Sequence, residues 1–208
     1  ELSCNMNYFV TGIDTDSGKT LVSAVLCEAL GADYWKPVQA GLPADSATVR
    51  DLVTNPASRI HSETYCLKTP ASPHAAAKLD GVRIELTDFV LPRTINNLII
   101  EGAGGCLVPL NEHNFVIDLA HQFNTEIILV ADLYLGSINH TLLTIHELKH
   151  RQLNVKGIIF NGKPNPESEE IILQHADLPC LLRIDREEKV DKNLIKKYAK
   201  RLLINWNG

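Results

Sequence analysis

Cysteine is sparse in this chain and widely scattered. The five residues, at 4, 27, 66, 106 and 180, form no Cys-x-x-Cys pair and leave an odd total. That pattern excludes a disulfide scaffold and a thiolate zinc site at ordinary spacing, and the expected setting is a reducing one, the cytoplasm. No run approaches the ~18 consecutive apolar residues of a membrane span. No basic region followed by an apolar one opens the chain, so no secretory signal is visible. Neither sign of charge is concentrated: the formal net charge is −5, with no basic stripe suited to nucleic acid or to an anionic membrane surface. Methionine occurs once, at Met6, which is expected to mark the native start, with residues 1–5 an artificial extension. The Asn139-His140-Thr141 sequon carries no sugar in a chain that is not translocated.

What the chain does have is a single long alternation of apolar and amphipathic stretches. Its 208 residues, 45% of them hydrophobic, suffice for one domain with a full core, expected over 6–208. The patterning predicts strands over 7–11, 33–36, 97–101, 126–131, 155–160 and 180–184, and helices over 18–30, 44–53, 73–80, 115–123, 138–152, 166–176 and 190–203. Strands that are apolar throughout are buried on both faces, and the helices between them supply the crossovers of a parallel sheet. The expected fold is therefore α/β: a doubly wound, mostly parallel sheet of the P-loop NTPase kind, whose ligands sit beyond the C-terminal strand ends. There is no internal repeat and no low-complexity linker.

The first predicted strand runs into Gly12-Ile-Asp-Thr-Asp-Ser-Gly18-Lys19-Thr20. A strand entering a glycine-bounded loop that ends Gly-Lys-Thr is a phosphate cradle. Backbone N–H groups and the helix N-terminus supply positive potential, Lys19 reaches the β- and γ-phosphates, and the Thr20 hydroxyl suits Mg²⁺. Five residues separate the glycines, where the usual loop has four.

The remaining candidates also follow predicted strands. Lys36, in Lys36-Pro37-Val38-Gln39-Ala40-Gly41, sits at an apolar strand end. It is either a surface lysine or an ammonium aimed at the nucleotide's anionic oxygens. Glu101 opens Glu101-Gly102-Ala103-Gly104-Gly105, where an acidic residue would meet Mg²⁺ or its water; a plain glycine turn explains the same letters. Asp45 reads locally as a helix N-cap or first-turn acid. Leu135-Gly136-Ser137-Ile138-Asn139-His140 opens a helix whose free N–H groups could hold a carboxylate, and an N-cap at Ser137 is the alternative. His146-Glu147-Leu148-Lys149-His150 matches the zincin pattern, but it falls near the far end of a crossover helix, remote from the strand ends. We read it as a solvated helix face.

Taken together, the motifs resemble the dethiobiotin synthetase family. The resemblance spans residues 7 to about 162 and rests on Tyr8-Phe-Val-Thr-Gly-x-Asp-Thr-x-x-Gly-Lys-Thr20, Lys36-Pro37-Val38, Ser72-Pro73-His74, Glu101-Gly-Ala-Gly-Gly105, Leu135-Gly-x-Ile-Asn-His140 and Asn161. The longer first loop is typical of that family. The resemblance implies an ATP- and Mg²⁺-dependent ligase that takes 7,8-diaminopelargonate and CO₂ to dethiobiotin through a carbamate and a carbamic-phosphoric anhydride. It implies that Lys36, Lys19 and Thr15 act on the carbamate and the γ-phosphate, and that Thr20, Asp45 and Glu101 hold Mg²⁺. Asp16, Ser17, Gly18, Lys19, Thr20 and Leu21, with Gly102, Ala103 and Gly104, would surround the nucleotide phosphates. Asn161 and Gly162 would meet adenine. Thr15, Lys36, Ala40 and Ser72 would contact the substrate, with Asn139 reaching it from a neighbouring subunit of a homodimer.

Two positions depart from the family pattern. Ala40 stands where a serine or threonine often contacts substrate, so that hydrogen bond is lost, carried by Gln39 or replaced by water. The Gly-x-x-Pro segment usual near adenine is replaced by Leu182-Arg183-Ile184-Asp185-Arg186, which predicts relaxed nucleotide choice. Two other readings compete. A partition- or division-site ATPase of the same branch carries a signature lysine where this chain has Asp14, and usually a basic or amphipathic element that is missing here. A related amide ligase needs a glutaminase domain, for which the chain has no room.

Overall fold

Four of the strands are built from runs with no polar face, and the structure buries them accordingly. The computed structural model describes residues 5–206, so the expected extension at 1–5 lies outside it except for Asn5. The elements are β1 (Asn7–Gly12), α1 (Lys19–Leu30), β2 (Asp33–Trp35), β3 (Val38–Ala40), α2 (Asp45–Leu52), β4 (Tyr65–Leu67), α3 (Pro73–Leu79), β5 (Leu98–Gly105), α4 (Asp118–Gln122), β6 (Glu126–Asp132), α5 (Ser137–His150), β7 (Val155–Gly162), α6 (Pro166–Ala176), β8 (Cys180–Asp185) and α7 (Lys192–Asn205). Six strands form one sheet in the order β2-β5-β1-β6-β7-β8, with every recorded pairing parallel. The chain leaves β1 toward one edge and returns to its other side at β6. This reversal opens a crevice beyond the C-terminal end of β1, where the glycine loop lies.

Each face of the sheet has its own core. Val10, Ile128, Val130 and Ile159 pack under α1, and α7 covers that layer with Ile195, Tyr198 and Leu202. Val22 through Cys27, six consecutive residues of α1, are all buried, which places this helix in the interior, between the sheet and α7. Phe9, Ile100 and Ile127 face the opposite way, onto residues of α3 and α4 and Leu148 of α5. Trp206 ends the chain's described part edge-on to Tyr8, ring centroids 5.2 Å apart, so the C-terminal helix packs on its own domain.

Three local differences from the sequence reading matter for the site. Predicted strand 33–36 stops at Trp35, and Val38–Ala40 pairs instead with Tyr65–Leu67 as a separate two-stranded parallel sheet. Strand β5 runs through Gly105, so Glu101 lies within the strand and not in a turn after it. Helix α4 begins only at Asp118, because Phe115 bridges to Pro109 and the Ile117 N–H is taken by the Cys106 carbonyl.

Candidate active site

The glycine loop folds tightly on itself. A Cβ at Gly12 would lie 2.0 Å from Ser17 Oγ, and the Ser17 hydroxyl donates to the Asp14 carbonyl at 3.0 Å. Gly18 has φ +96° at the head of α1, a left-handed conformation that glycine takes without strain. No side chain caps this helix end, and its first internal bond is Val22 N–H to the Gly18 carbonyl. The N–H groups of Lys19, Thr20 and Leu21 therefore have no helical acceptor, which is the donor array that anionic phosphate oxygens take.

A cavity of about 680 Å³ opens against this loop. Thr15, Asp16, Gly18, Lys19, Thr20, Lys36, Ala40, Asp45, Ser72, Glu101, Ala103 and Gly104, all singled out in the sequence, line it. Ser17 is buried behind the loop. Gly102 serves packing, since a Cβ there would press on Phe9 and Val116 at 3.0–3.2 Å. Leu21 stands in the first turn of α1, outside the cavity wall.

The electrostatic centre is Lys36. Its ammonium donates to Glu101 Oε1 at 2.9 Å and to Asp45 Oδ2. Glu101 is 1% exposed and Lys36 5%, so the ion pair lies out of water. Burial by itself lowers a lysine's pKa, but Glu101 and Asp45 outweigh it and hold Lys36 above its ordinary value. Burial likewise pushes the Glu101 carboxyl up, and Lys36, Thr20 and Tyr34 bring it below the usual carboxylate range. The surface-lysine reading of Lys36 is thereby excluded. Lys19, buried, loops back over its own cradle to the Asp14 and Thr15 carbonyls, both at 2.9 Å. Burial lowers its pKa to about 8, against the pull of Glu101.

Two contacts here were not foreseen. Gln39 accepts the Asp45 N–H at 3.0 Å and donates to the Gly41 carbonyl at 3.0 Å, so it caps α2 from outside the helix. Asp45 is the first helical residue and not the N-cap, and its carboxylate is free to turn toward Lys36. Gln39 also lines the cavity, and each end of its amide makes one hydrogen bond, which leaves one N–H and one lone pair of the amide uncommitted. Tyr34, fully buried, donates to Glu101 Oε2 at 2.9 Å. No spacing rule signals either contact, because both cross between elements.

Asn161, Gly162 and Asn139 also lie outside the cavity lining. Asn161 donates through Nδ2 to the Ser17 carbonyl at 2.9 Å and packs against Gly18, with Gly162 beside it at φ +111°. Asn139 is exposed on α5, and the structure does not bring it to this cavity. Ser137 is not an N-cap: Gly136 precedes the helix, and the buried Ser137 hydroxyl has no partner among the described residues. His146 and His150 are exposed, Glu147 is paired with Arg151 at 2.5 Å, and no cluster of three or more His, Cys, Asp or Glu suited to a metal occurs among the described residues.

A phosphate cradle beside a buried lysine flanked by two carboxylates does not by itself name a reaction, and comparison with known proteins narrows the choice. A family model described as an AAA domain matches residues 6–193. The ATP-dependent dethiobiotin synthetase BioD of Cytophaga hutchinsonii is 59% identical over 201 residues, 96% of this chain and 98% of that protein. The chain belongs to the dethiobiotin synthetase family. A second member, from Christiangramia forsetii, is 45% identical over 94% of this chain and 95% of its own length. Among solved structures, a ParA family ATPase from Chlorobium tepidum superposes with a TM-score of 0.59 over 99% of this chain and 93% of its own, at 10% identity. That likeness shows a shared fold alone. The synthetase family is ATP-dependent, and both loop and fold agree with that.

Proposed function

We propose that this protein closes the ureido ring of dethiobiotin, using ATP to activate a carbamate formed from 7,8-diaminopelargonate and CO₂. One observation carries the reading beyond family membership: the cavity sets a buried, protonated lysine against a phosphate cradle, and no side chain there is poised as a strong base. The Ser72–His74 contact of 3.1 Å is a local one at the exposed head of α3, and no third group among the described residues orients the ring.

The chemistry needs little else. A neutral amine adds to CO₂ without a strong base. A carbamate oxygen then attacks the γ-phosphorus, ADP leaves, and the second amine attacks the carbonyl carbon with loss of phosphate. Each step gathers negative charge, so catalysis consists of positioning and neutralisation. Lys36, kept charged by its carboxylates, acts as a cation and not as a proton acceptor. Lys19 and the α1 N-terminus hold phosphate oxygens, and Thr15 and Ser72 offer hydroxyls on the substrate side.

Thr20, Asp45 and Glu101 present hard oxygen donors around Lys36, a set that suits Mg²⁺ shared with nucleotide phosphates and does not amount to an all-protein cage. When bound, Mg²⁺ would supply charge stabilisation at the transferring phosphoryl group. Asn161 would meet adenine: its Nδ2 is committed to Ser17, which leaves Oδ1 to accept from an exocyclic amine.

A homodimer with sites at the interface is part of the proposal. Supporting it, Leu107, Tyr134, Leu135, Ile138 and Leu143 form an exposed apolar set on and around the start of α5, the element that carries Asn139. Mass spectrometry of dethiobiotin formation tests the function: product should require ATP, bicarbonate and 7,8-diaminopelargonate together. ATP hydrolysis indifferent to the last two, and stimulated by DNA or lipid, would favour the partition-type reading.

A further inference from the structure

The Glu101 carboxylate accepts three hydrogen bonds, and one of them comes from outside the cavity. Its Oε1 accepts from Thr20 Oγ1 and Lys36 Nζ, both at 2.9 Å. Its Oε2 accepts from the Tyr34 hydroxyl at 2.9 Å. Thr20 and Lys36 line the cavity, whereas Tyr34 does not. The two oxygens are thus inequivalent: one faces the chemistry and the other is tied into the core.

The tyrosine is itself rigidly placed. Tyr34 lies on β2 beside Ile99 of β5, and Glu101 is two residues further on, so the pleat puts Glu101 on the same face as Ile99. The main chain of Tyr34 is fastened on its outer side as well, its N–H to the Arg59 carbonyl and its carbonyl to the His61 N–H, both at 2.8 Å. The ring is fully buried. With ring and backbone so held, the acceptor that its hydroxyl meets is Glu101 Oε2.

We propose that Tyr34 is a positioning residue for the ligase reaction: by occupying Glu101 Oε2 it locks the carboxylate so that Oε1 alone serves Thr20, Lys36 and the nucleotide's Mg²⁺. This rests on the reading of Glu101 as an Mg²⁺-facing residue given above. A hydrogen bond of this kind orients a ligand oxygen and preserves its charge, and its loss is felt in metal affinity first. Nothing in the local sequence points to Tyr34, since a tyrosine in a short apolar strand reads as core.

The test compares ADP binding by calorimetry, in EDTA and across an Mg²⁺ titration, for four proteins: unaltered, Tyr34→Phe, Glu101→Gln and the double variant. Tyr34→Phe deletes one atom from a buried ring and leaves its packing in place, and unfolding temperatures in EDTA are recorded for all four. The proposal expects Tyr34→Phe to raise the half-saturating Mg²⁺ concentration about tenfold, with ADP binding in EDTA unchanged. It expects the double variant to resemble Glu101→Gln, because Tyr34 acts only through that carboxylate. An unmoved Mg²⁺ titration for Tyr34→Phe, or effects that simply add in the double variant, would overturn it while leaving Glu101 in place. So would an equal loss of ADP binding in EDTA, which marks general loosening. A titration that Glu101→Gln itself fails to move would remove Glu101 from the metal site, and the proposal with it.

Discussion

Lys36 carries a positive charge into a largely buried place at the cavity wall, and two carboxylates keep it there. Its removal has two separable consequences. Lys36→Ala should lower kcat by roughly 10²-fold or more, as expected when a cation facing developing charge is lost. It should also destabilise the fold by about 3–5 kcal/mol, because Glu101 is left buried without its counter-charge. Thermal unfolding separates the two: adding Glu101→Gln should recover stability and leave kcat low. Unchanged kcat in Lys36→Ala would take the lysine out of the mechanism. Lys19 gives a prediction in pH. Its pKa of about 8 means that the ammonium is present below that pH and is progressively lost above it. Bound phosphate would raise that pKa, so ATP affinity should be flat below pH 8 and weaken up to about tenfold per pH unit above it. A KM for ATP that is level from pH 7 to 9.5 would contradict this. At this scale the sequence was legible wherever a motif places a residue on a loop of known geometry, as with Lys19 and Thr20. It was silent on Tyr34 and on the cap that Gln39 makes at Asp45, because both depend on which elements lie side by side.

Elements decide which parts of the site are shaped by neighbours in the chain and which by packing. The loop after β8, where the family's usual adenine segment is altered, is fastened from α7: Tyr198 accepts the Asp185 N–H at 3.0 Å and donates to Glu187 at 2.7 Å. That loop therefore has a defined path, and it contains no glycine-proline turn. If Asn161 meets the base as proposed, base choice falls on a single neutral hydrogen bond worth about 0.5–1.5 kcal/mol. ATP should be preferred to GTP by no more than about tenfold in kcat/KM. A larger ratio would mean that the 185–190 loop reads the base after all. The short pair β3 and β4 escaped the sequence reading because three-residue strands carry no measurable period, and they matter because they seat Gln39 and Ala40 at the cavity wall.

For the molecule as a whole, the parallel sheet was readable because its central strands are buried on both faces and so lack any alternating pattern. The candidates fall at or just beyond the C-terminal parts of the strands, and the crevice at β1 gathers most of them into one cavity. What the sequence could not give was distance: whether Glu101, Asp45 and Lys36 touch depends on β1, β2 and β5 lying side by side. The same architecture serves ATPases that hydrolyse nucleotide with water as the nucleophile, so the central claim concerns which oxygen attacks phosphorus. The most direct measurement is mass spectrometry of the phosphate released in oxygen-18-labelled bicarbonate, at times short against exchange with water. If a carbamate oxygen attacks and then departs on ring closure, each phosphate carries one labelled oxygen and appears with one dethiobiotin. Unlabelled phosphate would mean that water attacks, and this chain would then be an ATPase and not a ring-closing ligase.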